Sequence, residues 1–428
     1  MALAETRPTA EAQRTIEATF RIERARLIAG LARVVRSVDL AEELAQDALV
    51  VALAEWPKTG VPANPGAWLM TVAKRRALDA LRRGKMRERK HEEIARTLDE
   101  TLDDATETIE AAMDDDLGDE LLGLIFTACH PMLSPDARAA LTLRVVGGLT
   151  TDEIARAFLS SEAAIAQRIV RAKKAIAKAR VTFETPRGAE RAARLPSVLE
   201  VVYLIFNEGY AATAGDDLVR PGLCLEARRL GRMLAGLMPE DAEVLGLLAL
   251  MEIQASRLKA RAGPDGAFIP ITEQDRSRWD QLLIRRGLDA LARAEALSGP
   301  EWSPYVLQAA LAACHARARR AADTDWPRIA ALYDQLRAVT PSPVVDLNRA
   351  IAHGMAFGPE TGLRLVDEIA GAALRDYAPL PAARGDFLFR AGRRVEARSE
   401  FEAAAALTRN ARERAFLLAR AEACDGEP

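Results

Sequence analysis

The chain has 428 residues, 49% apolar and only 5% aromatic, and its 59 Lys and Arg nearly balance 62 Asp and Glu for a net charge of −3; that allows roughly two or three domains with real cores and argues for an all-α protein with short connections. No apolar run approaches the length that spans a bilayer, and no charged-then-apolar leader opens the chain, so no membrane association is expected. Cys129, Cys224, Cys314 and Cys424 lie too far apart for a disulfide framework or a CxxC metal clip, and a reducing cytoplasm is the expected location.

The near-neutral total hides local polarity: basic residues concentrate at 74–90 and 167–180, acidic ones at 92–120. Residues 14–83 read as three or four helices. Within 39–55, Asp39, Glu42, Glu43, Gln46 and Asp47 fall on one side of a helix and Leu40, Leu44, Ala48 and Val51 on the other. Such an acidic stripe is either a solvated face or a contact surface. Trp56 to Gly66 reads as a loop by its Pro and Gly. Trp68 then opens a helix whose end is basic, with Lys74, Arg75, Arg76, Arg82 and Arg83, and the run continues through Lys85, Arg87, Arg89 and Lys90. A basic helix beside a loop flanked by tryptophans suits strand-separated DNA, where cations hold the backbone and an aromatic face takes an unstacked base. Trp56 and Trp68 suit core packing as well.

From Glu92 to Glu120 acidic residues dominate, with Asp114, Asp115 and Asp116 near the end. This predicts a solvated linker. After it, Leu149 to Ala179 reads as two short helices joined by a tight turn. Thr150 or Thr151 caps the first, Asp152 and Glu153 load its first turn with negative charge, and Ile154, Ala155 and Phe158 make its apolar side. Ser160, Ser161 and Glu162 form a polar break and a second cap. Ile165, Ile169, Ala172 and Ile176 then fall at helical spacing as one buried stripe, with Gln167, Arg168, Arg171, Lys174 and Lys178 opposite. A basic second helix after a capped first one fits a helix-turn-helix entering the DNA major groove. Arg and Lys bind phosphates as charges, and Arg or Gln pairs in two prongs with base edges. A solvated basic face on an ordinary bundle helix is the plainer alternative.

Taken in order, these pieces resemble the extracytoplasmic-function (ECF) group of sigma-70-family RNA polymerase sigma factors across residues 14–180. Asp39-Leu-Ala-Glu-Glu-Leu-Ala-Gln-Asp-Ala-Leu is similar to the region 2.2 helix that docks on the polymerase clamp. The stretch from Pro65 to Arg83 is similar to regions 2.3 to 2.4, which open and read the −10 element. Leu133 to Arg144 with the helix-turn-helix is similar to region 4, which reads the −35 element. The resemblance implies that Asp39, Glu43 and Asp47 face core RNA polymerase, and that Lys74, Arg75, Arg82, Arg83 and the 57–66 loop engage the −10 strand. It places Ser161, Glu162, Gln167, Arg168, Arg171 and Lys174 at the −35 groove, with promoter DNA as ligand. It implies that the acidic linker threads the polymerase channel that later carries RNA. Ala163, Ala164 and Ala166 stand where the family has small polar residues, which leaves fewer base-reading side chains.

More than half of the chain lies beyond the point, near residue 185, where ordinary members of that group stop. Residues 196–260 read as dense helix. Residues 300–424 carry degenerate repeats of roughly thirty-four residues: Gly385, Leu388, Gly392, Ala397, Phe401 and Ala404 match Ala350, His353, Phe357, Gly362, Val366 and Ile369, and Ile329, Tyr333, Leu336 and Pro341 fit a looser copy. Small residues at a helix crossing resemble the tetratricopeptide pattern, whose stacked helix pairs leave a concave face for a partner. Asn207 and Glu208, the run from Arg220 to Arg229, and the cluster Gln274, Asp275, Arg276, Arg278, Trp279 and Asp280 are charged segments that suit either a sensing surface or a buried polar network. The whole resembles the sigma subgroup with a fused C-terminal tetratricopeptide-like domain (ECF42-like). That implies sigma region 2 at 10–90, an acidic linker at 91–118, sigma region 4 at 119–185, and a helical domain at 190–428. This last domain would have a protein or small-molecule partner and regulate the rest.

A two-metal carboxylate site needs Glu-x-x-His pairs on facing helices, and no such pair set appears; Cys129-His130 and Cys314-His315 are adjacent rather than spaced as ligands, and no phosphate-cradling GxxxxGK loop is present. Neither enzyme chemistry, a metal nor a cofactor is expected. The competing reading is a helix-turn-helix regulator with a tetratricopeptide sensor, acting without core polymerase. It has no use for the 39–83 segment.

Overall fold

In the computed structural model the protein is all-α; it describes residues 10–91, 117–158, 160–211, 219–263, 266–369 and 374–425. The linker expected at 91–118, with Asp114, Asp115 and Asp116, falls outside the described residues except at its edges. Among the described residues there is no strand, only an isolated bridge between Ala262 and Phe268, and no helix is long and apolar enough to cross a membrane. The chain divides into two compact units, 1–201 and 202–428.

The first unit opens with three mutually packed helices, α1 (Ala10–Val35), α2 (Val38–Thr59) and α3 (Pro65–His91). Their shared face is rich in alanine: Ala41, Ala45, Ala48 and Ala52 from α2 meet Leu27, Ile28, Leu31 and Ala32 from α1 and Leu69, Ala73 and Ala77 from α3, all buried. Small side chains let the helix backbones approach closely while the leucines fill the gaps. Ser37 caps α2 by accepting from the Leu40 amide at 3.3 Å. The loop expected from Trp56 to Gly66 is shorter than its Pro and Gly suggest. Pro57 sits inside the last turn of α2, the helix closes at Gly60 with φ 83°, and α3 begins at Pro65 rather than at Trp68. Asn64 caps α3 through the Ala67 amide at 3.1 Å. Proline at the first helical position has no amide to leave unpaired, so the residue that looked like a breaker is an initiator.

Helices α4 (Leu117–Ala128), α5 (Pro135–Val145), α6 (Thr151–Ala157) and α7 (Glu162–Lys178) complete the second bundle of this unit. The segment after α7 folds back on α4, where Thr127 Oγ1 donates to the Thr182 carbonyl at 3.1 Å. Gly123 makes this possible, because a Cβ there would lie 2.4 Å from the Phe183 carbonyl oxygen. The next helix, α8 (Gly188–Tyr210), contains the division between the units. Its first half is tied down by Arg194, which donates to the Phe126 carbonyl at 2.9 Å, and by Ser197, which donates to the Cys129 carbonyl at 2.6 Å.

In the second unit the helices pack mainly on their chain neighbours: α9 (Pro221–Leu237), α10 (Ala242–Ala255), α11 (Gln281–Ser298), α12 (Pro304–Arg317), α13 (Trp326–Val339), α14 (Pro343–Phe357), α15 (Pro359–Ile369), α16 (Pro379–Arg390), α17 (Arg394–Leu407) and α18 (Ala411–Glu422). One apolar core runs through α10 to α13 and another through α14 to α18. Gly354 and Gly362 on successive helices form a notch for Phe387, since a Cβ on them would lie 2.4 Å and 2.5 Å from its ring. Three of the charged segments resolve into internal ties. Arg220 pairs with Glu208, and Arg228 and Arg232 both reach the buried Glu252 at 3.0 Å and 2.6 Å. Arg276 donates to the carbonyls of His315 and Ala318 at 2.5 Å and 2.8 Å.

Candidate nucleic-acid interface

The Leu149–Ala179 segment folds as two helices across a short turn. Thr150 and Glu153 form a reciprocal cap: the Glu153 amide donates to Thr150 Oγ1 at 3.1 Å and the Thr150 amide to Glu153 Oε2 at 2.7 Å. This is the capping box, which satisfies two orphan amides at once. Phe158 lies one residue past the end of α6, half-buried, with its amide still donating to the Ile154 carbonyl at 3.0 Å. Ser161 caps α7, accepting from the Ala164 amide at 3.2 Å. Ile165, Ile169, Ala172 and Ile176 are the buried residues of α7. That stripe turns Ser161, Glu162, Gln167, Arg171, Lys174 and Lys178 into solvent, with Arg168 half-buried. Arg171 and Lys174 make no ion pair with any described residue. Arg168 lies 3.6 Å from Asp136, which is itself mostly exposed. A cationic face aimed at water, on a helix fixed from behind, has the chemistry to meet phosphates without rearrangement.

On the three-helix bundle, Arg75 and Arg82 are exposed and Lys74 is half-buried. The side chains of Arg83, Lys85, Arg87, Arg89 and Lys90 lie outside the described residues. Trp56 is core, 3% exposed, with the half-buried Trp68 edge-on to it at 5.3 Å. Only Trp68 retains surface for a ligand ring. On the acidic stripe, Glu43 is exposed and Asp47 pairs with Arg76 at 2.6 Å. Glu42 departs most from its solvated expectation. Its carboxylate receives Arg24 at 2.5 Å, Arg144 at 3.3 Å and Lys173 at 2.5 Å, and all but Arg24 come from the second bundle. Lys173 also reaches Asp39 at 2.8 Å, and Arg24 donates to the Arg144 carbonyl at 2.6 Å. Burial lowers the Arg24 pKa and the neighbouring Arg144 adds to that, while Glu42 opposes both. Lys173, Arg24 and Arg144 escaped the sequence reading because each is unremarkable in its own helix. Only Glu42 stood in a pattern.

This arrangement defines a helix-turn-helix DNA-binding protein with a second, mixed-charge bundle beside the reader. The comparisons make the class specific. Residues 20–87 match the model for Sigma-70 region 2 and residues 124–176 that for Sigma-70, region 4. Residues 194–295 match a family of unknown function (DUF6596). An uncharacterized protein of Rhizobium meliloti (strain 1021) is 41% identical over 407 residues, covering 95% of each chain. No solved structure matches significantly. The chain belongs to the sigma-70 family of sigma factors. Its domains mark a transcription factor with a role in promoter recognition, whose partners are core RNA polymerase and promoter DNA.

Proposed function

We propose that the chain is an ECF-type sigma factor that directs initiation at −10 and −35 elements, works in the cytoplasm beside the polymerase, and is regulated by its own C-terminal domain. The assignment divides it into region 2 at 10–90, a linker at 91–118, region 4 at 119–185 and a tetratricopeptide-like domain at 190–428. Ser161, Glu162, Gln167, Arg168, Arg171 and Lys174 take the −35 groove. Lys74, Arg75, Arg82 and Arg83 take the −10 strand. Asp39, Glu43 and Asp47 take the polymerase. The observation that carries this reading is the solvent-facing cationic side of α7, set on a chain whose residues 20–87 also match Sigma-70 region 2.

The contact of Lys173 with Asp39 and Glu42 gives the reading a consequence. Asp39 serves the polymerase only after Lys173 lets go, so the described form is closed and core enzyme opens it. The deciding experiment is runoff transcription with purified core enzyme and the full chain. Initiation at a mapped promoter supports a sigma factor. Tight duplex binding with no initiation at any promoter assigns instead a regulator that acts without core.

A further inference from the structure

A cavity of about 610 Å³ opens in the second unit, with Tyr210, Arg257, Arg261, Gln274, His315 and Tyr333 in its wall. That volume is within the roughly 300–1,000 Å³ typical of small-molecule sites. Four of the six residues lie in the stretch that matches a family of unknown function, and His315 and Tyr333 come from the helices that follow it.

Among the described residues, no carboxylate pairs with the arginines of this wall. Arg261 is 9% exposed, its guanidinium lies 4.1 Å from the centre of the Tyr210 ring, and its Nε has no hydrogen-bond partner. Arg257 faces the rings of Tyr210 and Trp279 at 5.6 Å and 5.7 Å. Neither arginine forms an ion pair with a described carboxylate, whereas Arg220, Arg228 and Arg232 in the same unit all do. Gln274, 6% exposed, uses its amide nitrogen on the Ile269 carbonyl at 2.9 Å and leaves Oε1 unpartnered. His315 leaves Nδ1 unpartnered. Burial, and then the charges of Arg257 and Arg276, push its pKa down to about 3, so the ring is neutral and adds no competing cation. Buried polar groups in native proteins are almost always satisfied, and buried cations are almost always paired. A cluster that violates both rules around an open volume is built for a partner.

We propose that this cavity binds a small organic anion: a carboxylate or phosphate head held by Arg257 and Arg261, on an aromatic or branched apolar body held between Tyr210 and Tyr333. Arginine suits either head group through its planar pair of donors. The inference stands apart from the promoter reading, since binding is measured without polymerase or DNA.

The test is calorimetric titration of the full chain with phenylpropionate, its neutral amide and phenyl phosphate. At least one anion binds about tenfold more tightly than the amide, the worth of a charge-assisted hydrogen bond. The tighter of the two anions identifies the head group. Arg261→Met abolishes that preference and raises the Tm of the ligand-free chain, because it removes a buried cation that no described carboxylate pairs with. Arg276→Met, which cuts bonds to two carbonyls, lowers Tm and serves as the contrast for a structural arginine. Absence of binding by both anions at millimolar concentration, equal binding of acid and amide, or a preference that survives in Arg261→Met overturns the proposal. If Arg261→Met does not fold, the acid and amide comparison on the unaltered chain decides alone.

Discussion

Arg171 illustrates how a single side chain on α7 is free to act. Ile169 and Ala172 anchor the helix on either side of it, and its own guanidinium stands in solvent with no described partner. Arg171→Ala therefore leaves the fold intact and weakens promoter binding. If the lost contact is to a phosphate, the log–log salt slope falls by about 0.9, measured by fluorescence anisotropy of the chain with core enzyme on promoter duplex. Unchanged affinity and slope remove Arg171 from the interface. His315 makes a different prediction. Its folded pKa of about 3 lies below the ordinary 6.5, so the unfolded chain binds the proton first as pH falls. The associated stability is intact above pH 6.5 and drains as pH falls towards 3, at up to about 1.4 kcal/mol per pH unit. Thermal melts between those limits show a shallower acid slope for His315→Gln than for the unaltered chain. Identical slopes would mean that the imidazole titrates normally. Cys129 and Cys224, whose thiols burial pushes up to about 12, stay unreactive in the same range.

Between elements, two contacts repay mutation. Phe387 on α16 fills the notch made by Gly354 on α14 and Gly362 on α15. Phe387→Ala costs about 3–5 kcal/mol through the cavity it leaves, and Gly362→Leu costs about 1–3 kcal/mol by overpacking the same spot, both read as urea midpoints. A Gly362→Leu chain as stable as the original would show that the helices slide apart freely and that the notch is not a fixed register. The other contact is Lys173 with Asp39 and Glu42. Glu42 keeps Arg24 and Arg144 when Lys173 is removed, so Lys173→Ala does not strand a buried carboxylate. It weakens the closed form and raises affinity for core polymerase several-fold. A loss of affinity would instead place Lys173 itself on the polymerase.

For the chain taken entire, the question is whether its second half controls the first. Removing everything from residue 190 onward confuses the answer, because Arg194 and Ser197 tie α8 to the Phe126 and Cys129 carbonyls. A chain ending at Val201 keeps those ties and matches the division between the units. If the C-terminal domain regulates transcription, this shorter chain differs from the full one in runoff transcripts per bound core enzyme. Equal yields would reduce residues 202–428 to a passenger.

Much of this architecture was legible in the order of residues alone. The stripe Ile165, Ile169, Ala172, Ile176 and the caps at Thr150 and Ser161 depend on neighbours three or four positions apart, and helical periodicity records such neighbours directly. Gly385, Ala397, Phe401, Ala350, Gly362 and Val366, singled out by their spacing, are likewise all buried in the structure. What could not be read were meetings of residues far apart in the chain. Pro57 and Pro65 looked like loop residues because the helices they end and begin are stabilised by packing of Trp56 and Leu69. Glu42 looked solvated until Arg144 and Lys173, a hundred and more positions away, folded over it. Arg257 and Arg261 carried no local signal, since which described carboxylates come near a cation is set by the fold and not by its sequence neighbours. Helix and cap are properties of sequence neighbourhood. Burial, pairing and the shape of a cavity are properties of what the folded chain brings within a few ångströms, and no stretch of sequence holds them by itself.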